Sequence, residues 1–553
     1  MKFKPVFVGI AVIGVLLLVL SLSTVGKILA ANPRDLLTGV KSQPLAIKFL
    51  PKRSPLFVSF LVNPEKLGLF AQLAAKPSDR SNVNHALDNL KQQLQQNYLL
   101  DYDRDIQPWI DKEITLAVTD ADLDDQPANG QQAGYLLALA TKDVNLAKTT
   151  IDAFWQRLAV NGSDLGFEQY LGISILKTSP TDDKPEIAGT ILGKFVLFAN
   201  DAQVLRGVIN DLQSPSLTLA NLDSYQKRIS KLDTGKIGVA YVNLAELGED
   251  LGKESLLASF GLDRSGIRAQ TLLALESSDL KPKTDVEKVD SKLSQNKSVK
   301  KFSTNIAKFV PLGNSVIVGN NLDLTLQSIK DELSPELQKL LTNAIASLSG
   351  NIDIPLDRNA FAWAQDDYAI ALLPKTNSNP DWLLVAKVKE AQNSATAISA
   401  LDDLARNKLT VGEISFKDQP VTVWTKLSAI AKISNSEVSG TVVAAHAQTK
   451  NYIYLSNSLS VIESALTLKE SQSIASSKVF KTITAKLPSD RQVYGYFDQD
   501  SYLNLSKLQP IREFFQNTNS PLASILSHLD TVGFASTANE GNIKNGELFL
   551  FLK

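Results

Sequence analysis

Uncharged residues run unbroken from Pro5 to Val25, most of them Val, Leu or Ile, just behind Lys2 and Lys4. At about 1.5 Å of rise per residue a helix of this length reaches roughly 30 Å, the thickness of a hydrocarbon core. The pattern predicts a transmembrane helix over residues 5–26, leaving 1–4 as a cytoplasmic end and 27–45 as a juxtamembrane linker. The run is too long for the core of a cleaved signal peptide, and neither Ile28/Ala30 nor Leu29/Ala31 makes an Ala-x-Ala site, so an uncleaved signal anchor is expected.

Past Asn32 no stretch is long and apolar enough to span, and the pattern changes to short apolar runs alternating with helical spacings. Ile151, Phe154 and Leu158 stand at intervals that share one helix face, as do Ile398, Leu401 and Ala405. Strand-like runs fall at Leu56 to Val62, Ile114 to Val118, Tyr135 to Leu137, Ile173 to Leu176 and Phe195 to Phe198. A second series follows at Ser315 to Val318, Tyr368 to Leu372, Trp382 to Leu384 and Tyr452 to Leu455.

Laid side by side, the two series keep their order. Lys48-Phe49-Leu50-Pro51 recurs as Lys308-Phe309-Val310-Pro311, and Asp103-Arg104 with Trp109 recurs as Asp357-Arg358 with Trp363. Asn200-Asp201 and Asn457-Ser458 each stand where a helix needs its N-cap. Adjacent short strands want hairpins, and strict alternation of strand and helix is missing. The expected fold is therefore α+β: two tandem homologous repeats of mixed, mainly antiparallel sheet with helices, residues 46–278 and 306–553, joined by a polar linker at 279–305 and preceded by one transmembrane helix.

Charge and composition then remove whole classes of function. Fifty-seven basic residues nearly cancel 58 acidic ones, so no basic field is available for a nucleic acid. With no Cys the chain has no thiolate metal site, iron–sulfur cluster, Cys nucleophile or disulfide, which suits an oxidising compartment.

Candidate chemistry is sparse. His85, His446 and His528 stand far apart, each without a ligand-pattern neighbour. Asp120, Asp122 and Asp124, with Asp125, make a weak calcium candidate, but an EF-hand needs Gly and Glu where Asp125 and Gln131 stand. Gly189 to Lys194 is one residue short of a Walker spacing and reads as a hairpin turn; Ser224/Lys227 and Ser294/Lys297 echo a Ser/Lys hydrolase motif without its companions. The doubled Asp103, Arg104, Trp109 and Asp357, Arg358, Trp363 could supply a base and an anion clamp, although a shared structural need is the simpler cause. Tyr452, Tyr454, Tyr494, Tyr496, Phe497, Phe514 and Phe515 read as strand faces and core packing, with an aromatic groove as the alternative. No catalytic residue and no cofactor is assigned.

The N-terminal anchor, the Cys-free body, the two copies of the unit with its Lys-Phe-Leu-Pro entry and the Trp-containing hairpin together resemble a cyanobacterial family of membrane-anchored proteins classed as a domain of unknown function. The resemblance implies a photosynthetic bacterium and a body in the periplasm or thylakoid lumen, held at a plasma or thylakoid membrane. The expected role is a non-enzymatic interaction or scaffold protein, such as an assembly factor for a membrane complex. Its expected partners are the membrane, through the N-terminal helix, and a protein of that complex. An apolar-ligand carrier for a lipid or pigment is the alternative, and a hydrolase the third reading.

Overall fold

The computed structural model describes residues 43–63, 100–126, 132–180, 186–232, 236–247, 253–263, 266–275, 304–332, 363–375, 378–388, 391–431, 436–498, 529–537 and 542–552, with a few isolated helical positions. Among them are 20 strands and nine α-helices, and every strand register is antiparallel. The chain divides into two compact units, one of Met1–Glu276 with Phe515–Leu529 and Leu552–Lys553, the other of Ser277–Phe514 with Asp530–Phe551.

In the first unit the sheet is assembled from β1 (Leu56–Phe60), β2 (Ile110–Asp120), β3 (Gly134–Thr141), β4 (Leu165–Tyr170), β5 (Ile173–Thr178), β6 (Ala188–Leu192), β7 (Phe195–Ala199), β8 (Gly238–Asn243), β9 (Ser255–Asp263) and β10 (Gly266–Ala274). The registers place them in the order β10, β9, β8, β1, β2, β3, β7, β6, β5, β4. Every residue of β3 is buried, as expected of a strand covered on both faces. On one face lies α2 (Val144–Val160), whose Ile151, Phe154, Trp155 and Leu158 meet Leu137, Leu139, Val196 and Trp109. α3 (Ala202–Gln213) packs on β3, β5, β6 and β7, and its Arg206 and Asn210 bond Glu168 and Tyr170 of β4. Alternation along β4 turns Phe167 to the face opposite Glu168. Shorter helices α1 (Tyr102–Asp105), α4 (Asp223–Ile229) and α5 (Leu244–Leu247) complete the unit.

The second unit contains β11 (Ser315–Asn320), β12 (Asp367–Lys375), β13 (Ser378–Lys387), β14 (Thr410–Phe416), β15 (Gln419–Ala431), β16 (Ser436–Gln448), β17 (Tyr452–Ser456), β18 (Val493–Asp498), β19 (Leu529–Ser536) and β20 (Ile543–Leu552). From β19 inward the order is β18, β11, β12, β13, β17, β16, β15, β14, with β20 on the other side of β19. Its helices are α6 (Leu322–Glu332), α7 (Ala391–Arg406), α8 (Leu459–Thr467) and α9 (Lys478–Lys486). Strand alternation again feeds two cores. Trp382 and Leu384 face α7 with Ile398, Leu401 and Trp424, whereas Leu383 and Val385 join Val461, Ile462, Phe480 and Ile483 of α8 and α9. Gly319 lies opposite Tyr368 in the register, and a Cβ there would strike the Tyr368 ring.

These findings correct the expected fold class. The described chain is dominated by antiparallel sheet, with helices laid on it, and is not a pair of mixed α+β repeats. The compact units are not two contiguous tandem segments, since residues near the C terminus are divided between them. Local periodicity reports each element but not the long-range pairing that closes a sheet, and this is where the reading fails. Among the described residues no helix is long and apolar enough to cross a membrane. The run from Pro5 to Val25 lies outside them.

Candidate functional site

The first Asp-Arg…Trp constellation assembles around a residue that its spacing does not single out. Asp101 caps α1 by accepting the Arg104 N–H at 3.0 Å. Asp103 and Arg104 are exposed, while Trp109 is fully buried and its Nε1 donates to the Asp105 carbonyl at 2.7 Å. The hub is Asp105, whose carboxylate accepts Arg104 Nε at 2.9 Å, Arg157 Nη2 at 2.7 Å from α2, and the Asp101 N–H at 2.9 Å. Burial alone would raise its pKa. The bonds from Arg104 and Asp101 and the charges of Arg157 and Arg104 outweigh that, holding the carboxyl below its ordinary value. The arrangement locks the short helix to α2 and carries Trp109 into the core. Asp357 and Arg358 lie outside the described residues, and Trp363 is half-buried against the core beneath α7.

The acidic loop between β2 and β3 is occupied with its own backbone. Asp120 Oδ1 accepts the Asp122 N–H, Asp122 Oδ1 the Gln132 N–H, and Asp124 the Gln126 N–H and Gln132 Nε2. These are the side-chain turns that Asp makes in loops. No group of three or more His, Asp or Glu side chains placed to hold a metal occurs among the described residues.

A second polar cluster is more enclosed. His446 on β16 is 5% exposed, and its Nε2 meets Asp402 Oδ1 of α7 at 2.9 Å. The same oxygen accepts Trp424 Nε1 at 2.7 Å, and the Trp424 and His446 rings meet edge to face at 6.0 Å. Burial opposes the Asp402 charge, but bonds from His446 and Trp424 and the charges of His446 and Arg406 win, so the carboxyl is held below its usual range. Chemically this is an oriented imidazole–carboxylate pair under a helix, and the indole takes part of the carboxylate's accepting capacity. His85 and His528 lie outside the described residues.

Glu113 makes a third cluster. Its two oxygens accept the N–H groups of Leu45 and Ala46 at 2.9 and 2.7 Å, and burial, partly offset by those amides, raises its pKa. The carboxylate thus seats the 3-10 turn Ala46–Phe49 on the sheet. Ser224 and Lys227 lie on α4, where the Ser224 carbonyl accepts Arg228 Nε. Gly193 and Lys194 form the two-residue turn between β6 and β7, with Gly193 at φ +59°. Tyr454, Tyr494 and Tyr496 are buried in the sheet core, while Tyr452 and Phe497 pack at its margins. Phe514, Phe515, Ser294 and Lys297 lie outside the described residues.

Asp105, Asp402 and Glu113 were not legible as site residues. Asp402 and Glu113 find their partners on other elements, and Asp105 takes Arg157 from α2 besides its neighbours Arg104 and Asp101; none carries a local spacing that marks it.

A family described as "Protein of unknown function (DUF3352)" matches residues 10–552. The chain belongs to that family. No curated protein matches this DUF3352 chain. Two solved structures, crystal forms IV and III of TP0453, are similar over 45% and 46% of the DUF3352 chain and 85% and 86% of their own, at 10% and 8% identity, each with a TM-score of 0.22.

Proposed function

We propose that this protein works at a membrane as a non-catalytic interaction partner, an assembly or scaffold factor for a membrane complex. In this reading it is cyanobacterial, with its body in the periplasm or thylakoid lumen. The uncharged run from Pro5 to Val25 supports the location.

The observation that carries the interaction role is the strand that lies outermost among the described residues of the first unit. β4 pairs with β5 on one side, and its Phe167 is 65% exposed, with Leu171 in the following turn at 54%. A sheet edge offers unpaired main-chain groups to an extended segment, and neighbouring apolar side chains give that segment something to bury.

The test is site-specific photo-crosslinking of the full chain in isolated membranes. A crosslinker at position 167 is expected to capture a membrane-complex protein that one at Val160, exposed at the end of α2, does not, and Leu171→Glu in the chain carrying the crosslinker at 167 should abolish capture. Equal yields at the two positions would remove the reading.

A further inference from the structure

The chain enters the first unit through a surface that is apolar and basic at once. Leu45 opens the 3-10 turn Ala46–Phe49; Glu113 accepts its N–H, yet its side chain is 62% exposed. Directly after this turn the chain pairs with a second one. Lys52 N–H donates to the Leu217 carbonyl at 2.9 Å, Leu219 N–H to the Leu50 carbonyl at 2.8 Å, and Pro51 bridges Thr218 between them. Leu217 closes the 3-10 turn Pro215–Leu217 and is 56% exposed. Both leucines therefore stand in water on backbone that is already hydrogen-bonded, so the fold holds them out.

The charge around them has one sign. From Gln43 to Pro55 the charged residues are Lys48, Lys52 and Arg53, and the stretch from Ser214 to Leu222 that pairs with this segment has none. Exposed Arg53 is matched by Glu246 at 3.2 Å, and the charge of Lys48 reaches buried Glu113. Lys52, beside Leu217, forms no ion pair among the described residues. Exposed leucines interleaved with lysines suit the boundary of a bilayer, where apolar side chains enter the headgroup layer and ammonium groups meet lipid phosphates.

The chain's own length keeps this surface near a membrane. Residues 26–42 separate the uncharged run ending at Val25 from Gln43. At no more than about 3.5 Å per residue, they hold the entry to the body within about 60 Å of the run. A surface tethered so closely meets the bilayer at an effective concentration of about millimolar, and a weak contact is then enough.

We propose that the surface carrying Leu45, Lys48, Lys52 and Leu217 rests on anionic phospholipid, a second membrane contact that orients the first unit. This builds on the membrane location proposed above.

Because the chain has no Cys, a single introduced one takes a nitroxide label uniquely. The full chain, labelled at Leu217→Cys, Val160→Cys or Val15→Cys, is reconstituted in vesicles of equal parts phosphatidylcholine and phosphatidylglycerol, and collision with a water-soluble nickel complex is measured. Labels at 15 and 217 are expected to be shielded and the label at 160 to stay accessible. Adding Lys52→Glu to the chain labelled at 217 should lower the ratio of shielded to accessible label about fivefold or more, as should vesicles of phosphatidylcholine alone. A shielded label at 15 with labels at 217 and 160 equally accessible overturns this contact and leaves the membrane location standing. An accessible label at 15 removes the location and this contact with it. Shielding at 217 that is indifferent to both Lys52→Glu and phosphatidylglycerol also overturns the proposal.

Discussion

Glu113 and Ala46, 67 positions apart, are joined by a 2.7 Å hydrogen bond from the Ala46 N–H to a buried carboxylate oxygen. The second oxygen takes the Leu45 N–H, so one side chain satisfies two backbone donors. Removing it strands both, and an unsatisfied buried donor costs about 1–3 kcal/mol. Glu113→Ala is expected to destabilise the first unit by roughly 2–4 kcal/mol. Glu113→Gln, which keeps one carbonyl oxygen, should lose about half as much. Urea unfolding of the two variants against wild type measures the difference.

Asp105 and Asp103 make opposite predictions although they stand two residues apart. Asp105→Asn weakens the bonds to Arg104, Arg157 and the Asp101 amide, and should cost about 1–3 kcal/mol. The Arg104 side of that pair is 61% exposed, which keeps the value below that of a fully buried ion pair. Exposed Asp103 changed to Asn should stay within about 0.5 kcal/mol. Paired denaturation curves decide, and a larger effect at 103 than at 105 would show that the hub is misassigned.

Asp402→Ala removes the acceptor shared by Trp424 and His446. Two buried N–H groups are left behind, and a loss of about 2–4 kcal/mol in the second unit follows. Asp402→Asn, still able to accept one bond, should lie between Ala and wild type. Hydrogen exchange of the Trp424 indole N–H is the local readout, and it should accelerate in both variants.

Asp211 near the end of α3 gives a pH signature. Burial raises its pKa from 3.8 to about 6. A raised carboxyl pKa means that the folded protein binds the proton more tightly than the unfolded chain. Its contribution is therefore fully present below about pH 3.8 and is lost as pH rises through about 6. The group is half-buried, so solvent screening reduces the effect to about 1 kcal/mol. Asp211→Asn should flatten this part of the stability profile and raise stability at pH 7. A profile with the same slope in the variant would count against the assignment.

Much of the local structure was readable from pattern. The β3 run Tyr135 to Leu137, the α2 face of Ile151, Phe154 and Leu158, and the Asp201 cap of α3, which accepts the Gln203 N–H, fall where periodicity and capping chemistry put them. Asn200 went further than predicted. It does not cap a helix but accepts the Tyr135 N–H at 2.7 Å, and Asn457 likewise accepts the Trp382 N–H at 2.9 Å. An Asn beside a helix start looks like a cap, and only the neighbouring strand reveals the other use. The polar hubs were hidden for the same reason. His446 looks ordinary until Asp402, 44 positions away, arrives on a helix packed over its strand.

The position of β1 has a consequence for how the chain is made. It sits inside its sheet, with Leu56 opposite Val118 of β2 on one side and Val242 of β8 on the other. At about 5–20 residues per second, a ribosome needs roughly 10–40 s between supplying β1 and supplying β8. Throughout that interval a central strand shows one bare edge to any passing chain. β11 faces the same wait, with Val316 between Ala371 and Tyr496. Successful synthesis of this protein therefore depends on timing, and a holding chaperone that shields a nascent strand until its late partner emerges would raise its yield more than faster translation of the early half.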